Sequence, residues 1–271
     1  MRSATKIFLA SLIAVFMSVP LWAAASPAQT VNLPPISAGY AIDDEDQPEV
    51  TARVARISYL GGEAKIRRAG LDDWEVATLN LPLVEGDEIV TDAGGRVEIQ
   101  FDKSTHLRLS ENAYLKLITL KDEAVAVSLS LGSMNLRLRS FDREISSFEI
   151  DAPKTTVAIQ KSGSYRIDAG RDGDNEIRIA AREGGEARIF SDTSAFTLKN
   201  GRSARVFING QNSGEWNLAD ASRYQDDFDE WTSDRDSVIA SQLKDAHYDT
   251  YYDSDLYGAD DLSGHGERVY I

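Results

Sequence analysis

The fold is decided by residues 83–120, which read LVEGDEIVTDAGGRVEIQFDKSTHLRLSENAYLKLITL. Within this stretch, apolar and polar residues alternate in three short runs that are separated by turn-forming residues. The alternating apolar positions are Val97, Ile99, Phe101, Leu107, Leu109, Leu115 and Leu117. A period of two residues is typical of strands with one buried face. The stretch therefore predicts a ladder of antiparallel hairpins.

The same pattern extends in both directions, from about Glu49 to Gly210. Roughly sixteen short segments of strand character follow one another at spacings of about 8 to 12 residues, as in all-β sandwiches and barrels. We therefore predict an all-β fold of many short, mainly antiparallel strands in a sandwich or β-roll. An amphipathic helix and an acidic, largely irregular tail are expected to follow it.

Three local features refine this prediction. Gly61-Gly62 is expected to close a first hairpin, and the similar segment at Gly184-Gly185 indicates either the same turn chemistry used twice or two related halves of the domain. A phase change in the apolar alternation predicts a bulge or tight turn at Gly132. Trp74 and Val76 are expected to cover one end of the core.

Several short motifs in this region resemble those of the FecR domain. The resemblance rests on a glycine-aspartate pair, a strand that ends in threonine, a glycine turn and a later strand that opens with glycine. Those positions are Gly86, Asp87, Thr91, Gly94, Gly95 and Gly163. Weaker matches at 131–134, 148–153 and 200–204 extend the resemblance over about residues 54–206.

The resemblance implies a role in relaying signals across the cell envelope. In that family an exported β domain meets an outer-membrane receptor, and a cytoplasmic anti-sigma segment precedes a membrane helix. Here only about five residues precede the first apolar run, too few for a folded unit that holds a sigma factor. The domain could thus be present without the signalling role, since fold does not fix function.

The start of the chain predicts export. Arg2 and Lys6 precede an apolar run that ends at Ala25, which is the order of residues in a secretory signal peptide cleaved before Ser26. We expect a signal peptide at 1–25, a flexible acidic and proline-containing linker at 26–48, and the FecR-like β domain at 49–214. A helical segment at 215–245 and an acidic, tyrosine-rich tail at 246–271 complete the predicted organisation. The expected location is the periplasm or cell envelope, without stable membrane insertion after cleavage.

Composition narrows the classes of partner. The chain has no cysteine, which removes disulfides, thiol catalysis and cysteine-ligated zinc. Its formal net charge is −15, which argues against nucleic acid as a partner because phosphates are bound by basic patches.

The segment after the β domain carries the candidate partner-docking residues. Apolar residues at steps of three and four predict one amphipathic helix, or two short ones, between Leu218 and Leu243. Its motif DDFDEWTSDRD, residues 226–236, resembles one found after the FecR domain in a group of uncharacterised exported bacterial proteins. We name Tyr224, Phe228 and Trp231 as candidates for docking a partner.

The sequence predicts no catalytic, cofactor-binding or metal-binding residues. His106 is expected to face water from a half-buried strand. His247 and His265 lie in the acidic tail without a defined ligand spacing, and the calcium-like spacing at Asp253 lacks the glutamate that should close such a loop. We therefore predict that the chain is not an enzyme.

Three classes of function remain open. The favoured one is an exported scaffold or protein-interaction module that binds an unidentified envelope protein through strand edges or a face of the domain. The second is a periplasmic component of a FecR-type signalling pathway. The third is a peptidoglycan or polysaccharide binder that uses Trp74, Trp216 or Trp231 as a platform, although core packing explains such tryptophans as well.

Overall fold

The computed structural model describes residues 53–170, 173–223 and 225–245. All of them lie in the unit Glu49–Ile271. The predicted signal peptide, the linker and the tyrosine-rich tail fall outside the described residues.

Seventeen strands and one α-helix make up the described part of the chain, which confirms the predicted all-β class. The strands are β1 Ala55–Gly61, β2 Ala64–Arg67, β3 Trp74–Val76, β4 Pro82–Leu83, β5 Glu88–Thr91, β6 Arg96–Gln100, β7 Thr105–Leu109, β8 Tyr114–Leu120, β9 Ala124–Leu138, β10 Ser147–Ala152, β11 Thr155–Ile159, β12 Gly163–Gly170, β13 Glu176–Arg182, β14 Glu186–Ser191, β15 Ala195–Lys199, β16 Arg202–Phe207 and β17 Trp216–Asp220. The helix, α1, spans Asp227–Asp245.

The strands form one continuous sheet that divides into two leaves sharing β9. The front leaf has the order β4-β1-β6-β7-β9-β12-β13-β16-β17. The back leaf has the order β3-β2-β5-β8-β9-β10-β11-β14-β15. Neighbouring strands are antiparallel except for β9 and β10, which run parallel.

The long strand β9 passes from one leaf to the other at Gly132. Its first half pairs with β8 and β10 in the back leaf, and its second half pairs with β7 and β12 in the front leaf. Gly132 has a φ of +78°, and a Cβ atom there would lie 2.5 Å from Cα of Ala113. The register with β12 also shifts opposite this position. The predicted irregularity at Gly132 is therefore the point where a strand changes leaf.

The predicted first hairpin is wrong. β1 pairs with β4 and β6 in the front leaf, whereas β2 pairs with β3 and β5 in the back leaf. Gly61-Gly62 thus carries the chain between leaves, and Gly184-Gly185 does the same between β13 and β14. The two similar segments share this crossing, which a two-residue sequence pattern cannot distinguish from a hairpin turn.

The inner faces of both leaves enclose one hydrophobic core. Phe101, just after β6, lies edge-on to Phe148 of β10, with ring centroids 5.8 Å apart. Near the other end, Phe196 of β15 stacks on Trp216 of β17 at 4.2 Å. Aromatic contacts of this kind join the two leaves across the core.

The predicted cover of the core by Trp74 and Val76 is also wrong. Trp74 is 38% exposed and Val76 is 72% exposed. They lie on β3, an edge strand of the back leaf whose one recorded pairing is with β2. All three residues of β3 are exposed, so neither face of this edge strand is covered by the core.

The chain after β16 differs from the helix predicted to begin at Leu218. Residues 216–220 add β17 to the front leaf, Ala221–Arg223 form a 3-10 helix, and α1 begins only at Asp227. Pairing with β16 satisfies the backbone of β17, which overrides the helical spacing of its side chains. Within the described ranges, no helix is both long and apolar enough to cross a membrane.

Candidate functional site

Helix α1 lies against the outer face of the front leaf, and this interface is the candidate functional site. Asp226 caps the helix, because its Oδ1 accepts hydrogen bonds from the backbone N–H groups of Phe228 (3.1 Å) and Asp229 (3.2 Å). Asp227, Asp229 and Glu230 place further negative charge in the first turn. Carboxylates at this end of a helix interact favourably with its dipole. The acidic motif thus starts the helix.

Two aromatic side chains anchor the first turns of the helix to the domain. Phe228 is 4% exposed and stacks on the half-buried Trp231 at 5.8 Å. Trp231 also contacts Tyr59 of β1 at 5.5 Å. The guanidinium of Arg96 lies 5.3 Å from the ring of Phe228 and 5.8 Å from that of Trp231. The interface therefore combines apolar burial with cation–π contacts.

The first of two ionic clusters holds the helix N-terminus. Arg166 of β12 donates to both carboxylate oxygens of Asp226, at 2.6 and 2.8 Å, and to Asp229 at 2.7 Å. Arg182 of β13 donates to the other oxygen of Asp229 at 2.6 Å. The hydrogen bonds from Arg166 lower the pKa of Asp226 to about 2. Asp226 is therefore ionised near neutral pH.

The second ionic cluster is buried beneath the middle of the helix. Glu98 of β6 and Arg108 of β7 are opposite one another in the sheet, 2.7 Å apart, and both side chains are 0% exposed. Arg108 also donates to the backbone carbonyl of Thr232 (3.1 Å) and to Asp236 (2.8 Å). Arg235 of α1 donates a hydrogen bond to Glu98 at 2.7 Å. Each buried charge therefore faces an opposite charge, as burial in a low dielectric requires.

Burial and neighbouring positive charge shift the pKa of Glu98 in opposite directions. Removal from water alone would raise the pKa of this carboxyl. The hydrogen bond from Arg235 and the charge of Arg108 exceed this effect and lower the pKa to about 2. Glu98 thus stays charged inside the interface.

The prediction that His106 faces water is wrong. His106 is 1% exposed, and burial lowers its pKa to about 3. Its Nδ1 lies 3.1 Å from one guanidinium nitrogen of Arg139. The other terminal nitrogen of Arg139 donates to Asp236 at 2.7 Å. A neutral imidazole that accepts at Nδ1 fits this arrangement. The outward face of β7 is polar in sequence and buried in the structure because a helix covers it.

The candidate docking residues are thus found in contact with their own domain. Phe228 and Trp231 both lie between α1 and the front leaf. Tyr224 lies outside the described residues. A role for Phe228 and Trp231 in binding a partner stays a prediction, and it would require α1 to leave the sheet.

The FecR-like motif residues have structural contacts. Asp87 is fully buried and accepts hydrogen bonds from Arg68 and from the backbone N–H groups of Ala69 and Val84, at 3.0 to 3.1 Å. Thr91 donates to the carbonyl of Ser110 at 2.6 Å.

The motif glycines lie where backbones approach one another or turn. A Cβ atom at Gly95 would lie 2.7 Å from a carbonyl oxygen of Glu63, and one at Gly163 would lie 2.4 Å from Cα of Gly185. Gly86 and Gly94 have positive φ angles in turns. The motif therefore specifies turns and strand crossings in the fold.

The tryptophans named for a polysaccharide site occupy different environments. Trp216 and Trp231 are stacked on phenylalanine rings of the same domain. Trp74 is partly open, with the guanidinium of Arg67 4.9 Å from its ring centre. Polysaccharide binding stays a prediction from the sequence.

Sequence reasoning missed the charged residues that form the interface. Glu98 and Arg108 alternate with apolar neighbours along their strands, where the pattern predicts solvent exposure, and Asp236 lies in the acidic helix motif. The signal that could have found them is the coincidence of outward arginines on several strands with the acidic helix motif. Among the described residues, no group of three or more histidine or acidic side chains is placed to hold a metal ion.

Comparison with known proteins agrees with the motif pattern. The family model described as FecR protein matches residues 87–185, which confirms the resemblance to a FecR domain over that part of the chain. The match begins at the motif residue Asp87, and α1 lies outside it. The match thus covers the middle of the β domain, and neither the first strands nor α1 fall within it.

Solved structures give a more distant likeness. Two crystal structures of a candidate anti-sigma factor from Parabacteroides distasonis ATCC 8503, at 2.50 and 1.65 Å resolution, are each 15% identical to this chain with a TM-score of 0.42. Each alignment covers 49% of this chain and 59% of the other, so the chain spans less than two thirds of that protein's length. No curated protein matches the chain.

Proposed function

We propose that the chain is a non-catalytic, exported cell-envelope protein whose FecR-like β domain binds another envelope protein. The observation that carries this proposal is the edge strand β3. Five of the exposed large apolar side chains lie between residues 71 and 84, two of them in β3 and three in the chain segments before and after it. They are Leu71, Trp74, Val76, Leu79 and Val84.

An edge strand with exposed apolar side chains is suited to binding an extended segment of a partner. The unpaired backbone groups of an edge can hydrogen-bond to an added strand, and the side chains that alternate along it provide specificity. Val76 lies opposite Lys65, and Trp74 lies opposite Arg67, so the apolar side chains stand beside basic ones. Those basic side chains are ion-paired with Asp92 and Glu88, so we expect the partner segment to be extended and apolar.

The non-catalytic part of the proposal is supported by the state of the buried titratable groups. Glu98 is ion-paired with two arginines, and His106 is covered and hydrogen-bonded to Arg139. Groups held in this way support the docking of α1 instead of facing a substrate.

Site-specific photo-cross-linking in intact cells tests the proposed edge. A photoreactive residue at Val76 should cross-link to a partner protein, whereas the same residue at Phe190 should not. Phe190 is also exposed (42%), but its strand β14 is paired on both sides, with β11 and β15. Equal yields of cross-linked partner at the two positions, or no cross-linked partner at Val76, would contradict the proposal.

Charge at the edge provides a second test. Val76→Lys should abolish the cross-linking from neighbouring edge positions, because a lysine on an edge strand opposes strand addition. The fold should be unaffected, since this side chain is 72% exposed.

Export is tested separately by cell fractionation and by sequencing the N-terminus of the mature protein. The proposal expects a protein outside the cytoplasm that begins at Ser26. Recovery of the uncleaved chain from the cytoplasm would refute this part.

The FecR match favours a second candidate function, a periplasmic component of a FecR-type signalling pathway. The identity of the protein cross-linked at Val76 distinguishes the two. An outer-membrane receptor or a membrane-bound regulator would support signalling, and another envelope protein would support the scaffold role.

A further inference from the structure

The face of the front leaf beneath α1 is basic, although the whole chain carries a formal charge of −15. Six arginines in or directly after five strands contact the helix, its aromatic anchors or the buried glutamate, and three carboxylates of the β domain pair with them. The arginines are Arg96, Arg108, Arg137, Arg139, Arg166 and Arg182, and the carboxylates are Glu98, Asp168 and Glu183. We call this surface the arginine face.

The arginines of this face are placed opposite the carboxylates of α1 and of its cap, Asp226. Asp226 and Asp229 engage Arg166 and Arg182 near the helix start, and Asp236 engages arginines of β7 and β9 seven residues further on. Positions 229 and 236 are two helical turns apart, so both carboxylates point to the same side of the helix. The face therefore recognises a helix with a specific spacing of carboxylates.

The attachment of α1 combines a small apolar contact with several ion pairs. Phe228, Thr232 and Ile239 are the buried residues of the helix where burial is described, and much of its remaining surface is polar and exposed. Replacing buried ion pairs by hydrated ions changes the free energy little when both partners regain water. Ala221, after β17, is buried and its carbonyl accepts a hydrogen bond from Arg182, and the exposed Ser222, Arg223 and Gln225 belong to the segment that leads from it to α1. Such a segment can act as a hinge.

We propose that the arginine face also accepts the α1 helix of a second copy of this chain, so that two copies exchange helices. Every copy carries the same carboxylate spacing, and reciprocal exchange restores every native contact in a two-fold dimer. Docking within one copy is favoured at low concentration because the tether gives a high effective concentration. Exchange is favoured where copies are crowded. This inference does not depend on the proposed function of β3.

Two full-length variants with opposite defects test the exchange. The first carries Arg166→Asp and Arg182→Asp, which removes the ion pairs of the arginine face with Asp226 and Asp229 and leaves the sequence of α1 native. The second carries Asp229→Arg, which spoils α1 and leaves the arginine face native. Asp226 is kept in both because it caps the helix.

The mass of each variant in solution gives the outcome. Each variant alone should be a monomer, and an equimolar mixture should contain a species of twice that mass, because the native helix of the first fits the native face of the second. If Arg166→Asp with Arg182→Asp does not fold by circular dichroism, Arg182→Asp alone replaces it in the mixture.

Two results would overturn the proposal. A mixture that stays monomeric and does not bind heparin shows that the face accepts only its own helix. A monomeric mixture in which Asp229→Arg alone gains heparin binding shows that the exposed face takes polyanions instead of a second helix.

Discussion

Replacing Arg108 by methionine should destabilise the protein more than any single exposed charge change. The substitution leaves the carboxylate of Glu98, which is 0% exposed, without one of its two arginine partners. Removing one partner of a buried ion pair typically costs about 3–5 kcal/mol. Arg235 still lies 2.7 Å from Glu98, so we expect the lower end, about 3 kcal/mol. That is more than about a hundredfold in the equilibrium constant of folding.

The assay is urea unfolding followed by tryptophan fluorescence, with the free energy of unfolding taken from the midpoint and slope. Arg202→Ala is the control, because Arg202 and Asp220 form an exposed pair at 2.9 Å whose loss should cost about 0–1 kcal/mol. Adding Glu98→Gln to Arg108→Met should recover part of the loss, since the buried charge is then removed. A cost for Arg108→Met equal to that of Arg202→Ala would refute the view that this pair is desolvated.

Three further perturbations follow from the same structure. Folding lowers the pKa of His106 from 6.5 to about 3, so between these pH values the unfolded chain binds one proton more than the folded chain. The contribution of neutral His106 to the free energy of unfolding is therefore complete above pH 6.5 and is lost as the pH falls toward 3. His106→Gln should flatten the decline of the urea midpoint between pH 6.5 and about 4.5. Gly132→Ala should destabilise the protein more than Gly201→Ala. Both positions have a positive φ, which strains an alanine by about 1–2 kcal/mol, but only at Gly132 would the added Cβ collide with the backbone. Equal urea midpoints for the two variants would contradict this. Phe228→Ala should cost about 3 kcal/mol and reduce the helical signal in circular dichroism, whereas Val238→Ala on the exposed side of α1 should cost less than about 0.5 kcal/mol.

The strand ladder could be predicted from sequence because it depends on local alternation. Val97, Ile99, Leu107 and Leu109 point into the core as their period requires. The irregularity at Gly132 could be predicted for the same reason, since a phase change is visible in a short window. Pairing between strands far apart in the chain leaves no such local signal, so the leaf crossing after β1 was predicted as a hairpin.

The candidate site was the part that sequence reasoning could only partly predict. Phe228 and Trp231 were selected correctly as the apolar side of a helix, but the surface that receives them was not. A polar residue at an outward strand position is exposed in most sheets, and only the tertiary contact with α1 buries His106 and Arg108. Burial of both faces of β6 and β7 therefore depends on a segment more than a hundred residues later.

The distance along the chain between α1 and its binding face sets an order of events during synthesis. Arg235 reaches back 137 residues to Glu98, and all seventeen strands leave the ribosome before the helix does. Glu98 and Arg108 stay hydrated until the helix docks, because α1 is the segment that covers their face in the described part of the chain. Expulsion of water from these two ions is therefore a late step of folding, and it takes place only once the helix has been made.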